Sequence, residues 1–404
     1  MFNNFSFLFY LLKEKCLGNT GFIYIVVVLV YVLILLIGLW PLDFFPENEV
    51  KWLKGKDGVR FKGEELSSRY SAGGIAYTPD PFFYQPDQLC EKGSVSIEIL
   101  VNPDIELKKA RARIISFYDN VNKDIIFIDQ WKSYVDVFYQ ESENPSNHEY
   151  KKIGVGNTLL NNKISMLTIT SGGSGTFIYV DGKLVRSYPD IRLFTENDSV
   201  IGKRVILGNS PEATNAWSGN FYGLAVYNSQ LAENQVLSNY QWWMKKEDSL
   251  LSAQDALISL YAFNEGSGLL AHSRLGQQNP ILIPEYLWFK KRILLPPDFS
   301  NLLKPNLLKD IIFNILGFIP LGFFSLWCLF KTRKWKSYHA IFLVTIFGFI
   351  ISLCIEIAQI FLPARDSSQA DIILNVLGII LGIILFNHFW NIINRFGRWE
   401  AQSR

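Results

Sequence analysis

Residues 21–42, "GFIYIVVVLVYVLILLIGLWPL", carry no charged side chain. About 20 apolar residues make an α-helix long enough to cross the hydrocarbon core of a bilayer. The run lacks an A-x-A-like cleavage site and exceeds the apolar core of an ordinary signal peptide, so it reads as a retained anchor. Three further runs of this kind crowd the C-terminal third, at 309–330, 338–362 and 370–390. A chain with four such runs belongs in a membrane.

Loop charges set the expected orientation. Lys13 and Lys15 precede the first run, and the acidic "DFFPENEV" follows it. The loop "KTRKWK" between the second and third runs is basic, and Arg395, Arg398 and Arg404 follow the last. Basic loops stay on the cytoplasmic side. Residues 1–20 and the tail 391–404 are therefore expected inside, and 43–308 and the loop 363–369 outside. Trp40, Trp327, Trp335, Tyr338 and Trp390 sit near the span ends, where interfacial aromatics belong. A large outward domain on such an anchor fits the periplasmic face of a bacterial inner membrane.

A net charge of +2 shows no domain-wide basic patch, which argues against nucleic acid as a partner. Cys16, Cys90, Cys328 and Cys354 form no CxxC pair, and His148, His272, His339 and His388 are scattered. Neither a zinc site nor a disulfide framework is supported, and no cofactor is expected; calcium at an Asp/Asn-rich loop of the middle segment stays open, with no loop showing ligand spacing.

Residues 45–285 follow another rule. "SVSIEILVNP", "ARIISFYD", "DIIFIDQW", "YVDVFYQ", "KISMLTITS" and "GTFIYVDGKLV" are short strand-like runs separated by Gly, Asn, Asp and Pro. Such spacing predicts an all-β sandwich. Asp181-Gly182 predicts a type I′ hairpin turn. Glu98, Asp129, Asp136 and Glu141 read as acids on solvated strand faces, with Asp136 and Glu141 on opposite faces. A retaining glycosidase needs two carboxylates roughly 5 Å apart, and no strand here carries the alternating acids that would supply both, so catalysis by this domain is not expected. Trp131, Tyr134 and Trp217 are open between sugar stacking and core packing. Residues 286–308 form a linker, and Trp288 and Phe289 beside Lys290, Lys291 and Arg292 suit either a membrane surface or a plain basic connector.

The C-terminal runs hold polar residues where lipid should be. Asp310, Asn314 and Gly317 are spaced i, i+4, i+7; Gly348, Ser352, Glu356 and Gln359 i, i+4, i+8, i+11; Asp371, Asn375, Gly378 and Gly382 i, i+4, i+7, i+11. Each set makes one helix stripe. At 1.5 Å per residue Asn314 lies roughly 6 Å deeper than Asp310, and Glu356 ~9 Å from the outer end of its run. All three stripes thus put their polar ends at the outer leaflet. The glycines permit close helix approach, Gly378-x-x-x-Gly382 most clearly. A carboxylate at mid-bilayer costs about 2.5–3.5 kcal/mol, a cost lowered if Arg365 pairs with Glu356 or Asp371. The bland alternative is helix glue, amides bonding across helices at about 0.6 kcal/mol each. A polar pocket at membrane depth is the functional one.

Two resemblances follow. "VILGNSPEATNAWSGNFYGLAVYNSQLAENQV", with a strand ending in Leu-Gly, then Trp-Ser-Gly-x-Phe-x-Gly, a strand and a short helix, resembles the laminin-G/concanavalin A-like jelly-roll superfamily. The strand "LISLYAFNEGSGLLAHSRLG" comes late for that pattern, which allows a permuted order. "DIIFNILGFIPLGF", "SLCIEIAQ" and "RDSSQADIILNVLGIILG" resemble the VanZ-like family of membrane proteins, through Asp310, Asn314, Pro320, Gly322, Ser352, Glu356, Gln359, Arg365, Asp371, Asn375, Gly378 and Gly382. The departure from that family is the large β domain after the first helix. Its founding member is associated with low-level teicoplanin resistance.

The expected architecture is multidomain: a four-helix transmembrane α bundle with an all-β jelly-roll sandwich inserted after the first helix. Three functions stay open. One is an envelope-binding protein whose sandwich takes a glycan or protein and whose bundle holds a lipid headgroup or amphiphile, with a link to glycopeptide resistance or envelope polysaccharide implied by the resemblance. Another is a membrane enzyme in which Glu356, Asp371 or Asp310 acts as general base on a lipid-linked substrate and Arg365 positions a phosphate, a lipid-linked saccharide being one open partner. The third is a transporter or scaffold, which lacks a visible inverted repeat. Membrane lipid is the expected partner, and the oligomeric state is open.

Overall fold

A computed structural model describes residues 20–63, 73–82, 93–104, 111–119, 124–140, 150–161, 163–194, 199–245, 251, 254–287, 293–296, 305–332, 337–362 and 365–402. The chain divides into two compact units, residues 1–44 with 291–404, and residues 45–290.

The first unit is helical: α1 (Thr20–Gly38), then, after the second unit in sequence, α3 (Pro305–Thr332), α4 (Ser337–Gln359) and α5 (Gln369–Gln402), with α2 (Glu233–Lys245) lying in the other unit. Segments of α1, α3, α4 and α5, at 21–38, 308–331, 338–359 and 369–395, are long and apolar enough to cross a membrane. α1 stops four residues before the end of its apolar run. Pro41 disfavours helix for the residue before it, so the chain turns out of the helix at Leu39. Pro305 opens α3 at the first helical position, where its missing N–H costs nothing. α5 continues past residue 390 to Gln402, because "NIINRFGRWEAQ" contains no proline to end it.

These helices bury one stripe each and leave the rest apolar and outward. Ile34 of α1, Phe318, Leu321 and Leu326 of α3, Ala340, Val344 and Ile355 of α4, and Ile379, Ile383 and Phe386 of α5 share one core, which makes the four a bundle. Phe313, Phe342 and Ile384 point away from it, as side chains that meet lipid tails do. The Tyr31 hydroxyl and Ser325 Oγ lie 2.9 Å apart and tie α1 to α3.

The second unit is a β-sandwich. Its strands are β1 (Val50–Trp52), β2 (Val59–Phe61), β3 (Ala76–Tyr77), β4 (Val95–Pro103), β5 (Ala112–Tyr118), β6 (Asp124–Trp131), β7 (Tyr134–Gln140) and β8 (Tyr150–Val155). They continue with β9 (Ser165–Gly172), β10 (Gly175–Val180), β11 (Lys183–Tyr188), β12 (Arg204–Leu207), β13 (Gly219–Tyr227), β14 (Leu257–Tyr261), β15 (Leu270–Ser273) and β16 (Gly276–Leu282). One ladder runs β11-β10-β9-β4-β13-β14-β15-β16-β3-β12-β5-β6-β7-β8, with β2 also on β13 and β1 on β2. Val95, Ile97, Ile99 and Val101 of β4 share a core with Ile126 and Ile128 of β6 and Val135 and Val137 of β7. The two halves of the ladder therefore pack face to face. Asp181 and Gly182 take φ of 51° and 75°, the positive values a type I′ turn requires between β10 and β11.

Each glycine of the motif around β12 and β13 has a steric reason. Gly208 has φ +76°, and a Cβ there would come within 2.1 Å of the Phe61 ring; a Cβ on Gly223 would come within 2.3 Å of the Trp243 ring. Trp217 is core: it is fully buried, edge-on to Phe221, and donates Nε1–H to Gln130 Oε1 at 2.6 Å.

Three acids depart from the expected solvated strand faces. Glu98 is fully buried on the side of β4 opposite the central core, because α2 covers that face with Val236, Asn239 and Trp243. Asp129 and Asp136 stand opposite each other on β6 and β7. Both are buried: Asp129 is bonded to Arg113 Nε at 2.5 Å, and Asp136 is flanked by Arg111 at 3.2 Å and Lys152 at 3.5 Å. Glu141, Cys16, Cys90, His148, Trp288 and Phe289 lie outside the described residues.

Candidate functional site

The polar residues of the bundle come from three apolar helices. α3 carries Asp310 near its start and Asn314 one turn on; α4 carries Ser352 and, one turn on, Glu356; α5 carries Asp371 in its first turn and Asn375 one turn on.

Their hydrogen bonds cross between helices. Asn314 bonds the Asp371 carboxyl, joining α3 to α5. Asn375 Nδ2 donates to Ser352 Oγ at 2.9 Å, joining α5 to α4, and both residues are buried. Asp310, exposed at the start of α3, lies close enough to Asp371 to act on its charge. Glu356 is 2% exposed and accepts the backbone N–H of Ser368 at 2.8 Å through Oε2.

Ser368 explains how a buried carboxyl is accommodated there. It is the N-cap of α5: its Oγ accepts the Ala370 N–H at 3.1 Å, as N-cap side chains do. In the usual capping box the residue at the third helical position reaches back to the N-cap N–H. Here Asp371 holds that position, and Glu356 of the neighbouring helix takes the N–H instead. The carboxyl thus sits at the positive end of the α5 dipole, a favourable place for an acid. The "SQAD" spacing at 368–371 is a capping-box signature and could have marked Ser368 from the sequence.

Gln359 and Arg365 turn toward α1. Gln359 Nε2 donates to the Gly38 carbonyl at 2.8 Å. Arg365 donates Nε to the Trp40 carbonyl at 3.1 Å and Nη2 to the Ile37 carbonyl at 3.2 Å. The last carbonyls of a helix lack partners inside it, and a cation there also meets the negative end of the dipole. Arg365 is within electrostatic reach of Glu356 and Asp371, while these two donors fasten α1 to the segment before α5. Ser367 holds the same segment, accepting the Leu294 N–H on Oγ at 3.2 Å.

The packing glycines divide. A Cβ on Gly378 would lie 2.3 Å from the Ile315 carbonyl oxygen, one on Gly382 2.1 Å from that of Ile319, and one on Gly322 2.2 Å from that of Ile379. α3 and α5 therefore touch backbone to backbone. Gly348 faces the Ile379 side chain at 2.3 Å, and Gly317 faces nothing within 4 Å. Gly322, not Gly317, is the α3 member of the crossing.

The network leaves one acceptor over. Asn375 Oδ1 is buried without a hydrogen-bond partner, and a buried polar atom in that state costs roughly 1–3 kcal/mol.

On the sandwich, Trp131 and Tyr134 flank the β6–β7 turn, 37% and 41% exposed, with ring centroids 5.6 Å apart. Lys132 Nζ stands 5.3 Å from the Trp131 ring.

Residues 238–391 match the family model described as VanZ/LLP1, a stretch that takes in α3, α4 and nearly all of the membrane-spanning part of α5. A comparison with curated proteins gives no match. Among solved structures, a candidate carbohydrate-binding protein from Bacteroides ovatus is similar at TM-score 0.37 and 15% identity over 57% of this chain and 59% of that one. The alignment thus spans about three fifths of that protein's length. A SAP-like pentraxin from Limulus polyphemus aligns at TM-score 0.32 and 11% identity, over 52% of this chain and 94% of that one. The CBM40 domain of a Ruminococcus gnavus sialidase, bound to α2,3-sialyllactose, aligns at TM-score 0.31 and 10% identity, over 47% and 96%. Likenesses this weak say nothing about a ligand for this chain, and the sandwich stands on its own strand register.

Proposed function

We propose that this membrane protein holds the polar headgroup of an amphiphile in its helical bundle and offers its β-sandwich to an envelope glycan. One observation carries the bundle half: three apolar helices place paired polar residues together, joined by Asn314–Asp371, Asn375–Ser352 and Glu356–Ser368. Apolar residues could fill those stripes. Polar groups kept at membrane depth are costly and mark ligand or ion sites by default. In this reading the chain is a multi-pass protein of a bacterial inner membrane, with both termini cytoplasmic and the sandwich outside, as the basic loops favour.

Native mass spectrometry of the full-length protein in nanodiscs tests the bundle half. The expected result is a retained amphiphile that is lost on Asn375→Leu. Retention of nothing, together with a more stable Asn375→Leu protein, would reduce the network to helix glue.

For the sandwich, Trp131 and Tyr134 are the expected contact. Aromatic rings open to solvent beside a lysine suit the apolar face of a sugar ring, since each offers a large rigid apolar surface. Trp131→Ala is expected to weaken binding to an envelope polysaccharide about tenfold, on a glycan array probed with full-length protein, with the thermal midpoint unchanged. Equal binding by wild type and variant would remove the hairpin from the site.

A further inference from the structure

The α5 N-terminus and Arg365 are where an anionic headgroup would be expected to bind, since free N–H groups at a helix start and a guanidinium both attract phosphate. In this bundle three N–H groups at the α5 start and two of the Arg365 donors are engaged. The Ser368 N–H goes to Glu356, the Gln369 N–H to the Leu295 carbonyl at 3.0 Å, and the Ala370 N–H to Ser368 Oγ. Two Arg365 donors go to the Trp40 and Ile37 carbonyls.

What the cluster offers instead are acceptors. Asp310, Asp371 and Glu356 bring carboxyl oxygens from three helices, and Asn375 Oδ1 is buried and unpartnered one turn from Asp371. Asp366 adds a further acid nearby in sequence, so four acids stand against two cations, Arg365 and the exposed Lys309 beside Asp310. Among the described residues no group of three or more His, Cys, Asp or Glu side chains gathers as a metal site would need. A group that carries several hydrogen-bond donors and positive charge, and spreads them over separated acceptors, is an ammonium; it has three donors and no acceptor.

We infer that the headgroup held by the bundle is a primary ammonium on an amphiphile, seated among Asp371, Asp310 and the Asn375 carbonyl. The inference rests on the headgroup reading above and adds the sign and donor count of the ligand. An aminophospholipid and an amine-bearing lipid-linked saccharide share this chemistry.

The test uses full-length protein in nanodiscs and native mass spectrometry. The probes are phosphatidylethanolamine, its N-acetyl derivative and phosphatidylglycerol, with free phosphoethanolamine and free glucosamine as competitors. Phosphatidylethanolamine is expected to be retained at least about tenfold better than the other two lipids, the weight of one charge-assisted hydrogen bond. Asp371→Asn and Asp310→Asn are each expected to lower retention about tenfold. Asp310 is exposed, so its variant keeps the test open if Asp371→Asn fails to fold. Competition by phosphoethanolamine alone points to a lipid source, and by glucosamine alone to a saccharide source; either supports the ammonium. Phosphatidylglycerol or the N-acetyl lipid held as tightly as phosphatidylethanolamine would overturn the ammonium and leave the headgroup reading standing. Retention of no lipid at all would overturn both, and retention indifferent to both variants would overturn the site.

Discussion

Gly382→Ala is expected to abolish the folded helical unit, while Gly317→Ala leaves it intact. A Cβ on Gly382 would lie 2.1 Å from the Ile319 carbonyl oxygen and 2.8 Å from the Phe323 nitrogen, both backbone atoms. Backbone cannot rotate away as a side-chain tip does, so α3 and α5 would have to separate. Gly378 meets the Ile315 carbonyl and Gly322 the Ile379 carbonyl along the same line, so separation at one point strips contacts from the whole crossing. Overpacking a well-packed interface costs typically 1–3 kcal/mol, and more where nothing can move. Inside a bilayer there is no hydrophobic force between helices to compensate; packing is the main attraction. Gly322→Ala is expected to behave like Gly382→Ala. Yield of monodisperse protein after extraction and its thermal midpoint are the readouts. A Gly382→Ala protein with wild-type yield and midpoint would mean that the crossing is looser than these distances state.

The same glycines show where helical arithmetic succeeds and where it slips. Gly378 and Gly382 lie four apart, and that spacing alone marks a contact face. On α3 the polar residues Asp310 and Asn314 point to Gly317, yet Gly322 makes the contact. Each residue advances about 100° around the helix. Gly317 falls roughly 60° to one side of Asn314, while Ile315, Phe318, Ile319 and Gly322 fall on the other. A stripe read from two polar residues carries that error, and only the partner helix resolves it.

The polar cluster was legible as a set of residues because three helices repeat a four-residue spacing. The partners of those residues were not. Gln359 and Arg365 bind carbonyls at the end of α1, more than 320 positions away in the chain, and backbone carbonyls leave no mark in a sequence. The sandwich divides the same way. β4 alternates faithfully, with Val95, Ile97, Ile99 and Val101 toward the central core. Its other face reads as solvated, since nothing near Glu98 announces that residues 233–245 will cover it. Likewise Asp129 and Asp136 are lone acids along their own strands and become a facing pair only once β6 and β7 are in register.

The buried Glu98 gives the second large effect, a stability that falls as pH rises toward 8. Its Oε1 accepts from Asn239 Nδ2 at 2.8 Å, and its Oε2 from the Tyr227 hydroxyl and Trp243 Nε1, each at 3.1 Å. Those three donors favour the charged form, but complete burial outweighs them and pushes the carboxyl up from its ordinary value near 4.5 to about 7. Below pH 4.5 the folded and unfolded chains both hold the proton. Between there and about 7 only the folded chain holds it, so the free energy of unfolding drops as pH climbs. Above 7 both forms are ionised and the loss is complete. At 1.36 kcal/mol for each tenfold in proton affinity, the full swing is on the order of 3 kcal/mol. Hydrogen exchange at β4 and α2 amides in the full-length protein, followed from pH 5 to pH 8, reads this directly. Glu98→Gln is expected to flatten the slope and lower protection at pH 5, since an amide N–H₂ set against Asn239 or Trp243 brings donor against donor. If wild type and Glu98→Gln show the same pH dependence across that range, Glu98 is ionised throughout, and its three donors, not burial, decide its charge.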